Sequence, residues 1–247
     1  MNDRCLDDFL DGRLRIEQPR VGYRAGADAV MLGAACPATP GDSVLELGCG
    51  VGVAILCLAR RVPNLRLTGI ERQADYACVA RANAAVNGLQ MRVVTADIAD
   101  MPASLREMSF DHVIANPPYF SVGTQASEPT RATARHEDTP LELWIDAALR
   151  RLRPGGRLVV IHQAARLGDL LTLLDGRAGT IVVQPISARQ GRDAGRILIG
   201  ACKGARGPLR LRAPLIMHAA DSHLQDGEDL SPRASAILRA GAQINLW

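Results

Sequence analysis

The sequence lacks the features that mark membrane, secreted and zinc-binding proteins. None of its apolar runs approaches the roughly 20 residues that a membrane-spanning helix needs, so we expect no membrane partner. Its first residues do not join a basic segment to an apolar stretch, so we expect no secretory signal. The six cysteines form neither Cys-x-x-Cys pairs nor a His spacing suited to zinc, so we expect reduced thiols, a cytoplasmic location and no metal site.

Lysine is nearly absent as well. Lys203 is the only lysine among 29 basic residues, and the net charge is +3, which is too small to identify a partner. The basic residues are nevertheless unevenly distributed, because the stretch between Ser187 and Ala213 holds seven of them and a single acid, Asp193. These seven are Arg189, Arg192, Arg196, Lys203, Arg206, Arg210 and Arg212. Since arginine replaces lysine throughout the chain, the choice of arginine is by itself weak evidence of phosphate binding.

From Ser43 onward, short apolar runs alternate with helical patterns, an order typical of parallel βαβ units. We predict an α/β fold with a Rossmann-like, seven-stranded, mostly parallel sheet and helices on both faces. The predicted strands are Ser43–Leu47, Leu65–Glu71, Met91–Thr95, Asp111–Ala115, Arg157–His162, Thr180–Ile186 and Arg196–Cys202. Helices are predicted over Val51–Arg61 and Asp75–Asn87, and a capping-box pattern with proline at the first helical position, Thr139–Glu142, predicts the start of another.

The composition favours one domain. The 247 residues are 47% hydrophobic and 22% charged, which is ordinary for a globular protein and enough for a full core. Neither an internal repeat nor a low-complexity linker divides the chain, so we predict a single domain over residues 1–247. We divide it into an N-terminal cap segment (1–36) with a short helix at Gly26–Cys36, a Rossmann-like core (37–203) and a C-terminal extension (204–247). The extension is predicted to hold a strand over Leu209–Met217, interrupted at Pro214, and a short helix that begins at Ser231-Pro232.

A glycine-rich turn follows the first predicted strand and leads into a helix. Glycines at Gly48, Gly50 and Gly52 allow positive φ angles and a close approach of the backbone to a ligand at the helix N-terminus. A dinucleotide fingerprint would need glycine at position 53, where this chain has valine. A compact ligand with an amino-acid tail therefore fits better than a pyrophosphate. Glu46, just before the turn, places a carboxylate where a cationic ligand would be favoured.

Two acids follow the next two predicted strands. Glu71 ends the second strand, 19 residues after Gly52, close to the spacing of about 20 at which an acid meets ribose hydroxyls in such folds. Asp97 comes just after the third strand, where its carboxylate can accept a hydrogen bond from an adenine amino group. Because the carboxyl ends of parallel strands share one sheet edge, we expect Glu46, Glu71 and Asp97 to face one crevice.

The tetrad Asn116-Pro117-Pro118-Tyr119 follows the fourth predicted strand. Its two prolines fix the backbone and remove two N–H donors, so the local carbonyls are left as acceptors. The Asn116 side chain adds another acceptor, and Tyr119 offers a flat face for stacking. This set suits holding a planar amide or amino group.

Together, these motifs resemble a class I S-adenosylmethionine-dependent methyltransferase of the branch that modifies amino groups. The resemblance covers roughly residues 21–162. It implies S-adenosylmethionine as the cofactor, with S-adenosylhomocysteine as the product, and Asn116 beside the transferred methyl group. The resemblance also implies that Gly48, Gly50 and Gly52 would line the methionine portion of the cofactor. Glu71 would contact its ribose, and Asp97 would contact its adenine.

Two further segments resemble one particular group within this branch of methyltransferases. Tyr23–Asp28, before the first strand of the predicted core, and Arg131–Arg135, after the tetrad, are similar to segments of the bacterial tRNA(Val) adenine-N6 methyltransferases. The implied reaction is methylation of the N6 amino group of an adenine in tRNA. In that reaction the Asn116 oxygen and the Pro117 carbonyl would accept the two amino hydrogens, and Tyr119 would stack on the base.

The sequence alone leaves open which class of molecule is the substrate. The segment Phe120–Asp138, with Arg131 and Arg135, and the basic stretch 189–212 would hold RNA phosphates around an exposed adenine, which favours tRNA. The alternatives are a protein glutamine N5-methyltransferase of the release-factor type, which has the same tetrad, and a non-catalytic protein that only binds S-adenosylmethionine. The sequence leaves the oligomeric state open between monomer and homodimer.

Overall fold

The computed structural model describes residues 4–118, 139–220 and 229–247. The strands of this part are β1 (Arg4–Phe9), β2 (Leu14–Pro19), β3 (Ser43–Leu47), β4 (Arg66–Glu71), β5 (Met91–Thr95), β6 (Phe110–Ala115), β7 (Leu152–Gln163), β8 (Ala178–Ser187), β9 (Ala194–Lys203), β10 (Arg210–Leu211) and β11 (Leu215–Ile216). Its helices are α1 (Ala27–Ala35), α2 (Val53–Arg61), α3 (Ala74–Val86), α4 (Ala103–Arg106), α5 (Leu141–Arg151), α6 (Leu167–Leu174) and α7 (Pro232–Leu238). None of these helices is long and apolar enough to cross a bilayer.

The main sheet has the strand order β10-β8-β9-β7-β6-β3-β4-β5, and β11 also pairs with β8. Strands β7, β6, β3, β4 and β5 are parallel, whereas β9 runs antiparallel to both β7 and β8. The predicted Rossmann-like, mostly parallel sheet of seven strands is confirmed as β3 to β9. The two-residue strands β10 and β11 are added at one edge, where Pro214 divides the strand predicted over Leu209–Met217.

Helices cover both faces of the sheet because the strands are apolar on both sides. Along β3, Val44 packs into one hydrophobic cluster, with α1, α2 and α7, while Leu45 and Leu47 pack into another, with α4, α5 and α6. Successive strand residues point to opposite faces, so strands that are buried along nearly their whole length, such as β3 and β6, are covered on both sides. This two-sided core fixes the strand ends that form the site.

The N-terminal hairpin of β1 and β2 was not predicted from the sequence. It is antiparallel and pairs Phe9 with Leu14 beside the turn. The side chain of Asn83 in α3 joins it to the core, because its Oδ1 accepts from the Glu17 N–H at 2.8 Å and its Nδ2 donates to the Glu17 carbonyl at 3.0 Å. Ile16 of β2 is fully buried in the core. The predicted cap segment therefore contains a strand pair as well as the expected helix α1.

Two helix starts differ from the prediction. Helix α2 begins at Val53 rather than Val51, because Gly52 takes a left-handed conformation with φ +90° and acts as the N-cap. Helix α5 begins at Leu141, and Pro140 is its N-cap in an extended conformation with ψ 146°. The capping box predicted at Thr139–Glu142 is therefore wrong by one residue, since the proline precedes the helix instead of occupying its first position.

Candidate active site

The carboxyl ends of β6, β3, β4 and β5 border one cleft with a volume of about 300 Å³. Six residues predicted for the site line it, namely Gly48, Gly50, Glu71, Asp97, Asn116 and Pro117. A volume of this size is at the lower end of the range of roughly 300–1,000 Å³ that is usual for small-molecule pockets. The parallel arrangement thus brings residues from four separate segments of the chain to one place.

The glycine-rich turn forms the floor of this cleft. Gly48 and Gly50 have φ angles of +61° and +53°, a region that side chains disfavour. A Cβ at Gly48 would also lie 2.4 Å from the ring of Trp144. At Gly50, in contrast, a Cβ would meet no heavy atom of the described residues within 4 Å. The turn is therefore packed against α5 at Gly48 and faces open space at Gly50.

Glu46 lies beneath the turn and is not among the residues that line the cleft. It is 4% exposed, and its Oε2 accepts a hydrogen bond from the Ile55 N–H in the first turn of α2 at 3.1 Å. Burial, and secondarily the nearby Glu71 carboxylate, raise the pKa of Glu46 to about 8. Direct contact between Glu46 and a cofactor therefore stays a prediction. The same holds for Gly52, which is the N-cap of α2 and does not line the cleft.

Glu71 lines the cleft at the end of β4 and joins it to the glycine-rich turn. Its Oε2 accepts from the Gly50 N–H at 3.0 Å, and its Oε1 accepts from the Gln73 N–H at 2.9 Å. A carboxylate has about four acceptor positions, so two of them are left for a ligand. The side chain is therefore held in place by the backbone on both oxygens.

Asp97 lies in the same cleft, after β5. Its Oδ1 accepts from the Ala99 N–H at 2.8 Å and so caps the short 3₁₀ turn Ile98–Asp100. The cap fixes where the chain turns away from the sheet, and Ile98 follows Asp97 in the cleft wall. A carboxylate and an apolar side chain side by side are suited to the edge and face of a planar ring.

Asn116 follows β6 and lies at the cleft, half-buried, with Pro117 buried behind it and Pro118 exposed. The Asn116 Nδ2 donates a hydrogen bond to the Tyr23 hydroxyl oxygen at 3.3 Å. Tyr119, Arg131 and Arg135 lie outside the described residues, as does the segment Phe120–Asp138.

Tyr23, Tyr76 and Trp144 also line the cleft, and the sequence reasoning missed all three. They come from the segment before α1, from α3 and from α5, so none of them follows a parallel strand. The spacing argument could find only residues at strand ends. For Tyr23, a signal was present in the resemblance of the segment Tyr23–Asp28. For Tyr76 and Trp144, the signal was the scarcity of aromatic residues, 3% of the chain, which makes each ring in a helical segment informative.

The basic stretch 189–212 is largely engaged within the protein. Arg189 pairs with Asp229 at 2.8 Å, and Arg196 pairs with Asp28 at 3.0 Å. Two other residues of the stretch donate to backbone carbonyls, Lys203 to Leu152 and Arg212 to Leu246. Their charge is therefore used in part to attach β9, β10 and neighbouring loops to the rest of the fold.

Comparison with known proteins assigns this chain to a family. Residues 28–173 match the model of the methyltransferase small domain. The tRNA1(Val) (adenine(37)-N6)-methyltransferase of Porphyromonas gingivalis is 39% identical over 173 residues, which cover 66% of this chain and 68% of that protein. The protein of the same name from Aeromonas hydrophila is 28% identical over 221 residues, covering 88% and 92%.

Solved structures of methyltransferases have a similar fold. A predicted O-methyltransferase from Agrobacterium tumefaciens superposes with a TM-score of 0.71 at 28% identity, covering 88% of this chain and 98% of that one. A putative class I S-adenosylmethionine-dependent methyltransferase from Listeria monocytogenes has a TM-score of 0.55 at 17% identity, covers 76% of this chain and 62% of its own, and supports the fold alone. The chain therefore belongs to the small-domain family of S-adenosylmethionine-dependent methyltransferases.

Proposed function

We propose that this protein transfers the methyl group of S-adenosylmethionine to the N6 amino group of an adenine in tRNA. The observation that carries the proposal is the position of Asn116 and Pro117, in one cleft with Gly50, Glu71 and Asp97. The curated relatives at 28–39% identity are named for methylation of adenine N6 in tRNA1(Val). Cytoplasmic tRNA is thus the proposed partner, and the cytoplasm the proposed location.

The cleft fits the cofactor in its chemistry. S-adenosylmethionine supplies an electrophilic methyl group on a sulfonium. The bare backbone at Gly50 admits a ligand close to the turn, and Glu71 retains acceptor positions for hydroxyl groups. We assign Gly48 and Gly50 to the methionine portion, Glu71 to the ribose and Asp97 to the adenine ring.

The proposed role of Asn116 and Pro117 follows from the chemistry of the acceptor. An adenine amino group is a poor nucleophile because its lone pair is delocalised into the ring. Two acceptors, the Asn116 Oδ1 and the Pro117 carbonyl oxygen, would bind both amino hydrogens and direct the lone pair toward the methyl group. Orientation then supplies most of the acceleration. A strong general base is unnecessary, because the proton leaves from an amine that has become cationic.

An oxygen acceptor fits this arrangement less well. The solved relative from Agrobacterium tumefaciens is described as a predicted O-methyltransferase. A hydroxyl group has one hydrogen, so it needs one acceptor, whereas an amino group has two. Paired acceptors at Asn116 and Pro117 therefore favour nitrogen. Protein glutamine, the alternative nitrogen acceptor, is not favoured because the relatives are named for tRNA.

RNA contacts are proposed for two groups of arginines. Arg131 and Arg135 follow the tetrad in the sequence and stay the predicted phosphate contacts nearest to the target base. Arg192, Arg206 and Arg210 are exposed in the described part of the basic stretch. Their charges would bind phosphates farther along a structured RNA.

The decisive experiment supplies the purified protein and methyl-labelled S-adenosylmethionine with total RNA or with total protein. We expect label in the tRNA fraction, recovered as N6-methyladenosine after nucleoside digestion, with tRNA1(Val) as the first single species to test. The Asn116→Ala variant is expected to bind the cofactor and to transfer no label. Label on protein glutamine would instead establish the alternative, and cofactor binding without any transfer would make the protein a non-catalytic binder.

A further inference from the structure

Three aromatic side chains line the cleft of a chain that has few of them. The protein contains three phenylalanines, two tryptophans and three tyrosines, and Tyr23, Tyr76 and Trp144 lie at the cleft. Tyr23 precedes α1, and the Tyr76 hydroxyl in α3 donates to the Tyr23 backbone carbonyl at 3.4 Å. This concentration of rings in one small cleft indicates a ligand that aromatic side chains bind well.

The rings reach the cleft from both faces of the sheet. Tyr76 packs into the hydrophobic cluster that contains α1, α2 and α7, and Tyr23 lies beside it. Trp144 of α5 packs into the cluster on the other face of the sheet. The cleft is therefore bordered by Tyr23 on one side and by Trp144 on the other.

These two rings are next to the residues between which the transferred methyl group belongs. Trp144 lies against Gly48, which we assign to the methionine portion, so closely that a Cβ at Gly48 would overlap its ring. The Tyr23 hydroxyl lies 3.3 Å from the Asn116 amide nitrogen, at the acceptor end of the cleft. The sulfonium joins the methionine portion to the methyl group, so its place is between Gly48 and Asn116.

We propose that the rings of Tyr23 and Trp144 flank the sulfonium and bind the cationic cofactor more tightly than its neutral product, S-adenosylhomocysteine. The inference rests on the proposed function, which sets the position of the methyl group in the cleft. A sulfonium has no N–H to donate, whereas the π face of an aromatic ring attracts cations, and clustered rings recognise quaternary ammonium groups in this way. The product has lost the methyl group and the charge, so it loses this attraction and leaves more readily.

Tyr23 presents a neutral ring to a cation. Burial, followed by the carboxylates of Glu46 and Asp28, raises the pKa of Tyr23 to about 12, so no phenolate forms at the pH of an ordinary assay. The Glu71 carboxylate also lines the cleft and attracts a cation through its charge. A test of the rings must therefore change them and leave these acids in place.

The first test removes each ring and keeps an apolar side chain, in the variants Tyr23→Leu and Trp144→Leu. The quantity measured by calorimetry is the dissociation constant of S-adenosylhomocysteine divided by that of S-adenosylmethionine. A loss of packing weakens both ligands and cancels in this ratio, whereas the loss of a cation contact weakens S-adenosylmethionine alone. We expect the ratio to fall about two- to fivefold in each variant. An unchanged ratio in either variant would overturn the proposal.

Two controls separate the Tyr23 ring from its hydroxyl and from the segment that carries it. Tyr23→Phe retains the ring and should retain the wild-type ratio. Val21→Ala changes a side chain that is 80% exposed in the same segment, residues 20–26, and should also leave the ratio unchanged. A fall in Tyr23→Phe as large as that in Tyr23→Leu would assign the preference to the hydroxyl and contradict the role of the ring.

The second test uses an analogue of S-adenosylhomocysteine that carries a charged amino group at the position of the sulfonium. This compound keeps the positive charge and has no methyl group to transfer. We expect it to bind the wild type more tightly than S-adenosylhomocysteine and to lose affinity in the two leucine variants by about the same factor as S-adenosylmethionine. Wild-type affinity no better than that of the neutral product would refute the preference for a cation.

The fluorescence of Trp144 gives a third measurement. The chain has two tryptophans, so Trp144 is the only one left in Trp247→Phe. We expect saturating S-adenosylmethionine to change the Trp144 emission more than S-adenosylhomocysteine does, and an emission that neither ligand alters would overturn the proposal. None of these measurements uses RNA. If the protein methylates no tRNA, the proposed function fails, whereas the ratio and the emission still decide the role of the two rings.

Discussion

The Glu71 carboxylate accepts a hydrogen bond from the Gly50 N–H at 3.0 Å, which joins the end of β4 to the glycine-rich turn after β3. The two segments are separated by α2, and only the parallel pairing of β3 with β4 brings them together. A single side chain thus holds the turn in place and contributes the acid that we assign to the ribose.

Replacement of Glu71 by alanine should therefore weaken cofactor binding for two reasons. It removes the proposed ribose acceptor and releases the Gly50 N–H. Because hydrogen bonds to charged groups are worth about 1.5–3 kcal/mol, we expect the dissociation constant for S-adenosylmethionine to rise about tenfold or more, measured by calorimetry. Glu107→Ala, an exposed acid in a separate loop, is the control and should bind normally. Equal affinity of the two variants would contradict the assignment.

Glu46 should make stability depend on pH in an unusual direction. Its folded-state pKa is raised from 4.5 to about 8, so between these values the folded protein binds more protons at this site than the unfolded chain. The contribution of Glu46 to the free energy of unfolding therefore falls as pH rises through this window. Glu46→Gln, which keeps an acceptor for the Ile55 N–H, should remove that fall.

The measurement is urea denaturation of both proteins at several pH values from 5 to 9. We expect the difference in unfolding free energy to shift in favour of Glu46→Gln as pH rises. Since all other titrating groups are shared by the two proteins, a difference that is constant with pH would refute the raised pKa.

Gly48 and Gly50 should respond differently to alanine, although both have positive φ angles. Gly50→Ala should cost about 1–2 kcal/mol of stability, the usual penalty of the left-handed conformation. Gly48→Ala should cost more, by about 1–3 kcal/mol, because its Cβ would overlap the Trp144 ring at 2.4 Å. Denaturation without cofactor tests this, and Trp144→Leu should reduce the gap between the two variants. Equal losses of stability in the two variants would mean that the Trp144 ring moves aside without an energetic cost.

The basic stretch should divide into structural and RNA-binding members. Arg189 is 12% exposed in its ion pair with Asp229, so Arg189→Ala should lower the melting temperature. Arg210 is exposed on β10, so Arg210→Ala should leave the melting temperature unchanged and weaken tRNA binding. Loss of one phosphate contact should also reduce the slope of log affinity against log salt by about 1. An unaltered slope would place the RNA elsewhere on the protein.

The sequence was most informative where function sits at strand ends. Glu46, Glu71 and Asp97 were predicted to face one crevice because parallel strands place their carboxyl ends at one edge. The structure brings Glu71 and Asp97 there, beside Gly48 and Asn116, whereas Glu46 is buried beneath the glycine-rich turn and does not line the cleft. Tyr23 could not be predicted in this way, since it reaches the cleft from the segment 20–26 between β2 and α1 and not from the end of a parallel strand. Such contacts leave no periodic pattern in the chain.

The distribution of charge along the sequence was less informative, because it does not show which charged residues pair with one another in the fold. The number of arginines in the stretch 189–212 was known from the sequence, but their partners were not. Asp28 and Asp229, which pair with Arg196 and Arg189, lie 168 and 40 residues away along the chain. Long-range pairs of this kind appear only once the sheet is assembled.

The short strands β10 and β11 pair along one edge of β8. Both pair with β8, a ten-residue strand whose other side is occupied by β9. Without them, β8 would present a long row of unpaired N–H and C=O groups, which is a template for adding a strand from another chain. Pro214 lies between the two short strands and lacks an N–H, so this border cannot itself extend into a continuous edge. The segment 210–216, which does not line the cleft, thus covers part of the β8 edge that would otherwise be open to strand addition.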